Sequence, residues 1–228
     1  MGESLTETTC ESCGLCISAC PTGAINENFK FKPGPVKTEP AETISNFGGV
    51  GERIQLNHKN GYVFNVTGAE GKINQKGNID KYAKFGYQYI NDPKRIVKPL
   101  MRKNNGFEEV SYEEAFRIIS GRSGCDSAVF ASSRLTNEMI YLLKKWAKER
   151  LQTADLHSFN YMNSDLGYYR NAEHNVPLTQ LQDADHIYVM APGLNQDHGT
   201  VGYMVNAAKT QHNAKITMVM DRENTLLE

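Results

Sequence analysis

Apolar and polar residues alternate with a period of two in the second quarter of the chain. The apolar members of this pattern are Ile54, Leu56, Tyr62, Phe64 and Val66. The dipeptide Asn60-Gly61 separates its two halves, and both of these residues tolerate a positive φ angle. The pattern therefore predicts a β-hairpin, which we place in a small β-rich module over residues 42–97.

Helical and buried-strand periods replace the alternation from about residue 98. Ser111 and Thr136 are typical N-cap residues, and each precedes an apolar stripe with helical spacing, so helices are predicted at 111–120 and after 136. Short apolar runs predict strands at 126–132, 186–190 and 215–220, with a further helix at 198–211. Strands that alternate with helices favour a parallel sheet, so residues 98–228 are predicted to form an α/β domain.

The composition is that of an ordinary globular protein. The chain has 228 residues, of which 39% are apolar and 22% charged, and its formal net charge is −1. This balance shows neither the basic excess typical of nucleic-acid binding nor an acidic tail, so charge alone indicates no partner and we expect none that is a nucleic acid. No apolar run approaches the length of a membrane span and no leader is evident at the N-terminus, so we expect a cytoplasmic protein.

The strongest chemical signal is a run of four cysteines near the N-terminus. Cys10, Cys13, Cys16 and Cys20 are spaced Cys-x2-Cys-x2-Cys-x3-Cys, and Pro21 follows. This spacing is typical of the ligands of a bacterial ferredoxin-type 4Fe-4S cluster. A structural zinc site prefers two separated ligand pairs, and disulfides between sulfurs so close in sequence would be strained. We therefore predict an iron–sulfur module at residues 1–30, followed by a proline-containing linker at 31–41.

The sequence alone does not identify the residue that provides the fourth ligand of this cluster. In two-cluster ferredoxins the last cysteine of the run binds the other cluster. The chain has no second run. Either Cys20 completes the cluster locally, or the ligand comes from Cys125 or from a partner chain.

Several further stretches resemble one family. They are Phe85–Ile96, Lys98–Arg102, Val110–Ala115, Ser132–Glu138 and Ala191–His198. Together with the cysteine run and the order of the modules, they resemble the N-terminal part of the molybdopterin-dependent oxidoreductases, which include formate dehydrogenases and the large iron–sulfur subunit of complex I. The resemblance covers nearly the whole chain and implies an α/β domain that is truncated relative to the family.

The chain departs from this family where the relatives bind a second cluster. Ser45, Gly48 and Glu52 stand where the resemblance implies three thiolates, and Asp80 falls near the fourth. The lysine that links cluster and pterin in the family aligns near Tyr82, unless a slip of two residues restores Lys84. We therefore expect one 4Fe-4S cluster and not two.

The metal ligand of the family is also replaced. The resemblance implies a cysteine or selenocysteine for molybdenum or tungsten at the position of Met162. A thioether cannot ionise and is a weak ligand for a high-valent metal. We therefore expect no bound molybdopterin and assign no catalytic residue.

Three functions fit these residues. The favoured one is a non-catalytic electron-transfer subunit of a larger oxidoreductase, of the NADH- or ferredoxin-linked hydrogenase or formate dehydrogenase type. The others are a structural or assembly subunit of such a complex, and one half of a split molybdenum or tungsten formate dehydrogenase. The resemblance implies partners such as an NADH-binding flavin subunit, an iron–sulfur or hydrogenase subunit, and a companion chain that completes the α/β domain.

Overall fold

The fold is mixed α/β and is built from small sheets. The computed structural model describes residues 10, 12–27, 36–48, 50–74, 76–104, 106–121, 127–132, 134–153, 155–158, 176–190, 193–194 and 198–219. The chain divides into two compact units, one of Met1–Asn91 with Asn175–Glu228 and the other of Asp92–His174.

The regular elements follow one another in chain order. The helices are α1 (Leu15–Ala19), α2 (Lys81–Phe85), α3 (Tyr112–Ser120), α4 (Asn137–Arg150) and α5 (Gly199–His212). The strands are β1 (Glu39–Ile44), β2 (Arg53–Lys59), β3 (Tyr62–Gly68), β4 (Leu100–Lys103), β5 (Gly106–Glu109), β6 (Val129–Phe130), β7 (Leu156–His157), β8 (His186–Val189) and β9 (Lys215–Met218). Short 3-10 helices cover Gly86–Ile90 and Leu178–Asp183. In the described ranges, no helix combines the length and apolar character that a bilayer crossing requires.

The first unit begins with an antiparallel sheet in the order β1-β2-β3. The turn between β2 and β3 uses Asn60 and Gly61 with φ angles of 52° and 80°, so the predicted hairpin is confirmed. Strand β1 begins at Glu39, inside the segment predicted as linker, and pairs there with His58. Pro40 is compatible with this position because an edge strand leaves one row of backbone groups unpaired.

The core of this sheet is closed by α2 and the 3-10 helix that follows it. The buried apolar residues are Ile54, Val63, Val66, Ile79, Ala83 and Tyr87. The Tyr87 hydroxyl donates to the backbone oxygen of Phe64 at 2.6 Å. The Asn91 side chain accepts from the backbone nitrogen of Val63 at 2.9 Å and donates to its oxygen at 2.7 Å. These two side chains attach the helical segment to β3.

Tyr87→Phe tests this attachment. Burial raises the pKa of Tyr87 to about 12, and the negative charge of Glu27 adds to the rise. The substitution leaves the Phe64 oxygen without its donor, so we expect the free energy of unfolding to fall by about 1–2 kcal/mol near neutral pH. A phenol in the unfolded chain ionises near pH 10, so Tyr87 makes the wild type less stable as the pH rises from about 10 towards 12. Urea unfolding across this range should show a shallower alkaline loss of stability for the variant.

Tyr89→Phe is the matched control for this experiment. The Tyr89 side chain is 40% exposed, and its hydroxyl accepts from Asn46 Nδ2 at 3.3 Å. Loss of this exposed hydrogen bond should change the stability by less than about 0.5 kcal/mol. Equal effects of the two substitutions would contradict the role given to the Tyr87 hydroxyl.

The C-terminal part of the first unit is a parallel strand pair with one helix. Strands β8 and β9 pair in parallel, with Ile187 opposite Ile216. The core residues shared by the strands and α5 are Ile187, Val189, Leu194, Val205, Ala208 and Ala214. The predicted succession of strand, helix and strand is confirmed here.

The second unit contains an antiparallel hairpin, β4-β5, and a parallel pair, β6-β7. Ser111 and Thr136 cap α3 and α4 as predicted, because their hydroxyls accept from the backbone nitrogens of Glu114 and Met139. The strand predicted at 126–132 is shorter than expected and covers Val129–Phe130 in the described residues.

The apolar sides of both helices in the second unit are exposed. The residues concerned are Tyr112, Phe116, Ile119, Met139, Leu142 and Trp146, with exposed fractions between 37% and 63%. On α4 only Ala147 is buried among the described side chains. The sequence predicted the apolar stripe of α4 correctly, but no described layer of the chain covers most of it.

Candidate metal centre

The cysteine run forms a short turn-helix-turn segment. Cys16 lies on α1, and Cys20 is its C-cap residue. Ser12 and Gly14 have positive φ angles of 56° and 74°, which reverse the chain on either side of Cys13. The run is therefore curled, as a peptide that wraps one cofactor must be.

The four thiols fit an iron–sulfur cluster by their chemistry. Cys10, Cys13, Cys16 and Cys20 each carry a thiol that is not oxidised to a disulfide. Hydrogen bonds from the backbone of Ile25 and from the side chain of Thr22 lower the pKa of the Cys20 thiol to about 7. A lower pKa favours the thiolate, which is the form that binds iron.

The sulfurs are near one another in sequence but are not gathered into a closed ligand set. Across the described ranges, no three histidine, cysteine, aspartate or glutamate side chains lie close enough to hold a metal ion. Cys125, the other candidate for the fourth ligand, lies outside the described residues.

Helix α2 packs against the cysteine run. A Cβ atom added at Gly14 would lie 2.6 Å from Phe85 Cζ and 2.8 Å from Lys84 Cδ, so only glycine fits this contact. Lys84 is 3% exposed, and its Nζ donates to Ser18 Oγ on α1 at 2.9 Å. The buried ammonium therefore lies beside the helix that carries Cys16.

The residues at the expected second-cluster positions come together in space. A Cβ atom added at Gly48 would lie 3.1 Å from Glu52 Oε1 and 3.5 Å from Asp80 Oδ2. The Ser45 backbone nitrogen donates to the Glu52 backbone oxygen at 2.9 Å. Thr200, which the sequence did not mark, donates its hydroxyl to Glu52 Oε2. We call Ser45, Glu52, Asp80 and Thr200 the oxygen cluster.

Two helix starts position the oxygen cluster. Asp80 is the N-cap of α2, where its Oδ1 accepts from the Ala83 backbone nitrogen at 2.8 Å. Thr200 lies in the first turn of α5, and Gly199 before it allows a close approach, because an added Cβ would lie 2.9 Å from Asp80 Cβ. The cluster therefore joins the sheet, α2 and α5.

The oxygen cluster is buried. Glu52 is 0% exposed, and Ser45, Asp80 and Thr200 are 5%, 3% and 3% exposed. Burial raises the pKa of Glu52, the hydrogen bond from Thr200 lowers it, and the charge of Asp80 raises it. Carboxylate and hydroxyl oxygens are hard ligands, whereas iron–sulfur clusters are usually held by soft thiolates.

The two residues considered for the position of the family lysine, Tyr82 and Lys84, differ in burial. Tyr82 is 45% exposed, whereas Lys84 is buried and contacts the cysteine run. The side of α2 that faces α1 therefore carries residue 84, and which of the two positions matches the family lysine stays a prediction. Met162, the predicted replacement of the metal ligand, lies outside the described residues.

Two family models match the chain. The model described as molybdopterin oxidoreductase matches residues 95–227, which is more than half of the chain. The model described as a 4Fe-4S binding domain matches residues 5–26 and includes the whole cysteine run.

Curated relatives are similar along most of the chain. The NADPH-Fe(3+) oxidoreductase subunit alpha of Geobacter sulfurreducens is 29% identical, over 94% of the chain and 26% of that protein. A subunit of the NADH-quinone oxidoreductase of Rhizobium meliloti is 23% identical, over 96% of the chain and 27% of that protein. A putative formate dehydrogenase of Bacillus subtilis is 25% identical, over 84% of the chain and 21% of that protein. The chain thus spans about a quarter of the length of these relatives.

Proposed function

The chain belongs to the molybdopterin oxidoreductase family, and from this premise we propose that it is a non-catalytic electron-transfer subunit of a larger cytoplasmic oxidoreductase. The complex would be of the NADH- or ferredoxin-linked hydrogenase type or the formate dehydrogenase type. Relatives named as subunits of NADPH-Fe(3+) and NADH-quinone oxidoreductases support a role inside such an assembly.

The observation that carries the proposal is the contrast between the two ligand positions of the chain. The N-terminal run offers four cysteine thiols and matches a 4Fe-4S binding domain. At the second position, Ser45, Glu52 and Asp80 of the oxygen cluster stand where the resemblance to the family implies thiolates. An electron carrier needs only one cluster. A molybdenum enzyme of this family also needs a second cluster beside the pterin to carry electrons away from the metal.

We assign Cys10, Cys13, Cys16 and Cys20 as the ligands of one 4Fe-4S cluster. When bound, the cluster accepts and releases single electrons. The protein orients the ligands through the left-handed turn at Gly14 and fixes α1 through the hydrogen bond from Lys84 to Ser18. The Lys84 ammonium also places a positive charge beside the site, which favours the more negative, reduced state of a cluster.

The α/β part of the chain is proposed as a docking scaffold. Its second unit exposes apolar faces on α3 and α4, which include Phe116 and Leu142. Exposed apolar faces of this kind are typical of surfaces that another protein covers. The proposed partners are an NADH-binding flavin subunit, an iron–sulfur or hydrogenase subunit, or a companion chain that completes the domain.

Metal analysis and electron paramagnetic resonance test this function. The full chain is isolated without oxygen, its iron, zinc, molybdenum and tungsten are measured, and the protein is reduced with dithionite. We expect about four iron atoms per chain, one reducible 4Fe-4S signal, and neither molybdenum nor tungsten. No formate oxidation should occur with an artificial acceptor.

Two results would contradict the proposal. Bound pterin with molybdenum or tungsten would favour one half of a split formate dehydrogenase. Zinc without iron would instead favour a structural or assembly subunit in which the cysteines hold a structural metal.

A further inference from the structure

Two buried carboxylates in the oxygen cluster have no cationic partner in the part of the chain that the structure describes. The ion pairs there join Arg53 to Glu42, Lys98 to Glu109 and Lys103 to Glu108, and all six side chains are exposed. The buried lysine of α2, Lys84, directs its ammonium to Ser18. Burying two like charges without a counter-charge is unfavourable, so the pair requires a positive partner.

The free oxygen atoms of the pair converge on one position. Glu52 Oε1 is buried and has no hydrogen-bond partner among the described residues. Asp80 uses Oδ1 to cap α2, which leaves Oδ2 for another interaction. Both Glu52 Oε1 and Asp80 Oδ2 face the place that a side chain at Gly48 would occupy, at 3.1 and 3.5 Å from its Cβ position. Because residue 48 is glycine, no side chain of this residue comes between the two oxygen atoms.

We propose that the oxygen cluster binds one hard divalent cation, Mg²⁺, Mn²⁺ or Ca²⁺, between Glu52 Oε1 and Asp80 Oδ2. Such cations bind carboxylate and other oxygen ligands in preference to thiolate sulfur. Two carboxylates balance the charge of one divalent ion. The Ser45 and Thr200 hydroxyls and water would complete the ligand set. Because a high-affinity site uses more than two carboxylates, the expected affinity is moderate.

A cleft provides a path to this site. Thr200 lines a polar cleft with a volume of about 290 Å³ in the first unit, together with Asn78, Tyr203 and Met204. The wall of the cleft therefore lies next to the oxygen cluster.

The alternative neutraliser is a single proton shared by the two carboxyl groups. Both alternatives satisfy the charge, but they respond in opposite ways to Glu52→Gln. An amide removes one ligand charge from a cation site, whereas it imitates a permanently protonated carboxyl group. The substitution therefore separates the two alternatives directly.

The test uses the full chain with its N-terminal cluster intact, after treatment with EDTA and desalting. MgCl₂, MnCl₂ and CaCl₂ are added separately, thermal unfolding is recorded, and bound Mn²⁺ is counted by electron paramagnetic resonance. At least one cation should raise the unfolding temperature by an amount that grows with its concentration, and bound Mn²⁺ should approach one ion per chain. Glu52→Gln removes one of the two charged ligands and should weaken binding by about tenfold or more, because loss of an outer-shell partner alone costs about 10–100-fold.

Two further variants control for folding and for surface charge. Asp80→Asn should also lose the cation response, yet it should keep α2 because asparagine caps helices as well as aspartate. Glu42→Gln removes an exposed carboxylate and should leave the response unchanged. The proposal is overturned if the wild type does not respond to any of the three cations, if Glu42→Gln loses the response equally, or if Glu52→Gln retains it in full. If the wild type does not respond to any cation and Glu52→Gln is more stable than the wild type in EDTA, the neutralising group is the shared proton.

Discussion

Cys16→Ser is expected to leave the purified chain with almost no iron. Cys16 lies on α1 in the middle of the curled run, and serine preserves the size of the side chain but not the thiolate. Loss of one ligand of four opens the cluster, so iron should fall from about four atoms per chain to below one. The visible absorption of the cluster and its signal after reduction should disappear, while circular dichroism of the β1-β3 sheet persists.

Cys125→Ser is the matched control for this substitution. It removes a thiol outside the run, so we expect unchanged iron and an unchanged reduced signal. Cys20→Ser should behave like Cys16→Ser. Full iron in Cys20→Ser would place the fourth ligand elsewhere, and a simultaneous loss in Cys125→Ser would identify it.

Gly14→Ala is expected to lower the free energy of unfolding more than the addition of a methyl group at any other position of the cysteine run. Gly14 has a φ angle of 74°, which costs a residue with a side chain about 1–2 kcal/mol. The added Cβ would also lie 2.6 Å from Phe85 Cζ, and overpacking of this kind costs about 1–3 kcal/mol. We expect a total loss of about 2–5 kcal/mol, measured by urea unfolding, together with reduced iron retention.

Gly23→Ala separates backbone strain from overpacking. Gly23 has a similar φ angle of 65°, but an added Cβ there meets no atom within 4 Å. The loss should be about 1–2 kcal/mol, with iron retained. If both glycine substitutions have the same effect, the contact between α1 and α2 does not hold the run in place.

Features encoded by neighbouring residues could be predicted from the sequence. The Asn60-Gly61 turn, the Ser111 cap and the Thr136 cap each depend on backbone preferences within four residues, and all three are present in the structure. The same locality explains why the cysteine run was visible as a possible ligand set, since its members lie within eleven residues.

Features that depend on distant segments could not be predicted in this way. Glu52 and Thr200 are 148 residues apart, and no local pattern marks a threonine in a first helical turn as the partner of a buried acid. The burial of Lys84 and the exposure of Tyr82 depend on which side of α2 packs against α1, which is set by tertiary contacts. Exposure of Leu142 on α4 likewise depends on which other segments pack against the helix rather than on any feature of the helix itself.

The amide of Asn91 has a consequence for how other proteins can associate with this one. The Asn91 side chain bonds both the backbone nitrogen and the backbone oxygen of Val63 on the outer strand β3. These two groups are therefore already hydrogen-bonded and are not available to pair with an added strand. Pro40 removes a backbone donor from β1 at the opposite edge. Sheet extension from chain to chain, a common route to aggregation, is therefore obstructed at both margins. A protein that docks on this chain would therefore use side-chain surfaces, such as the exposed apolar faces of α3 and α4.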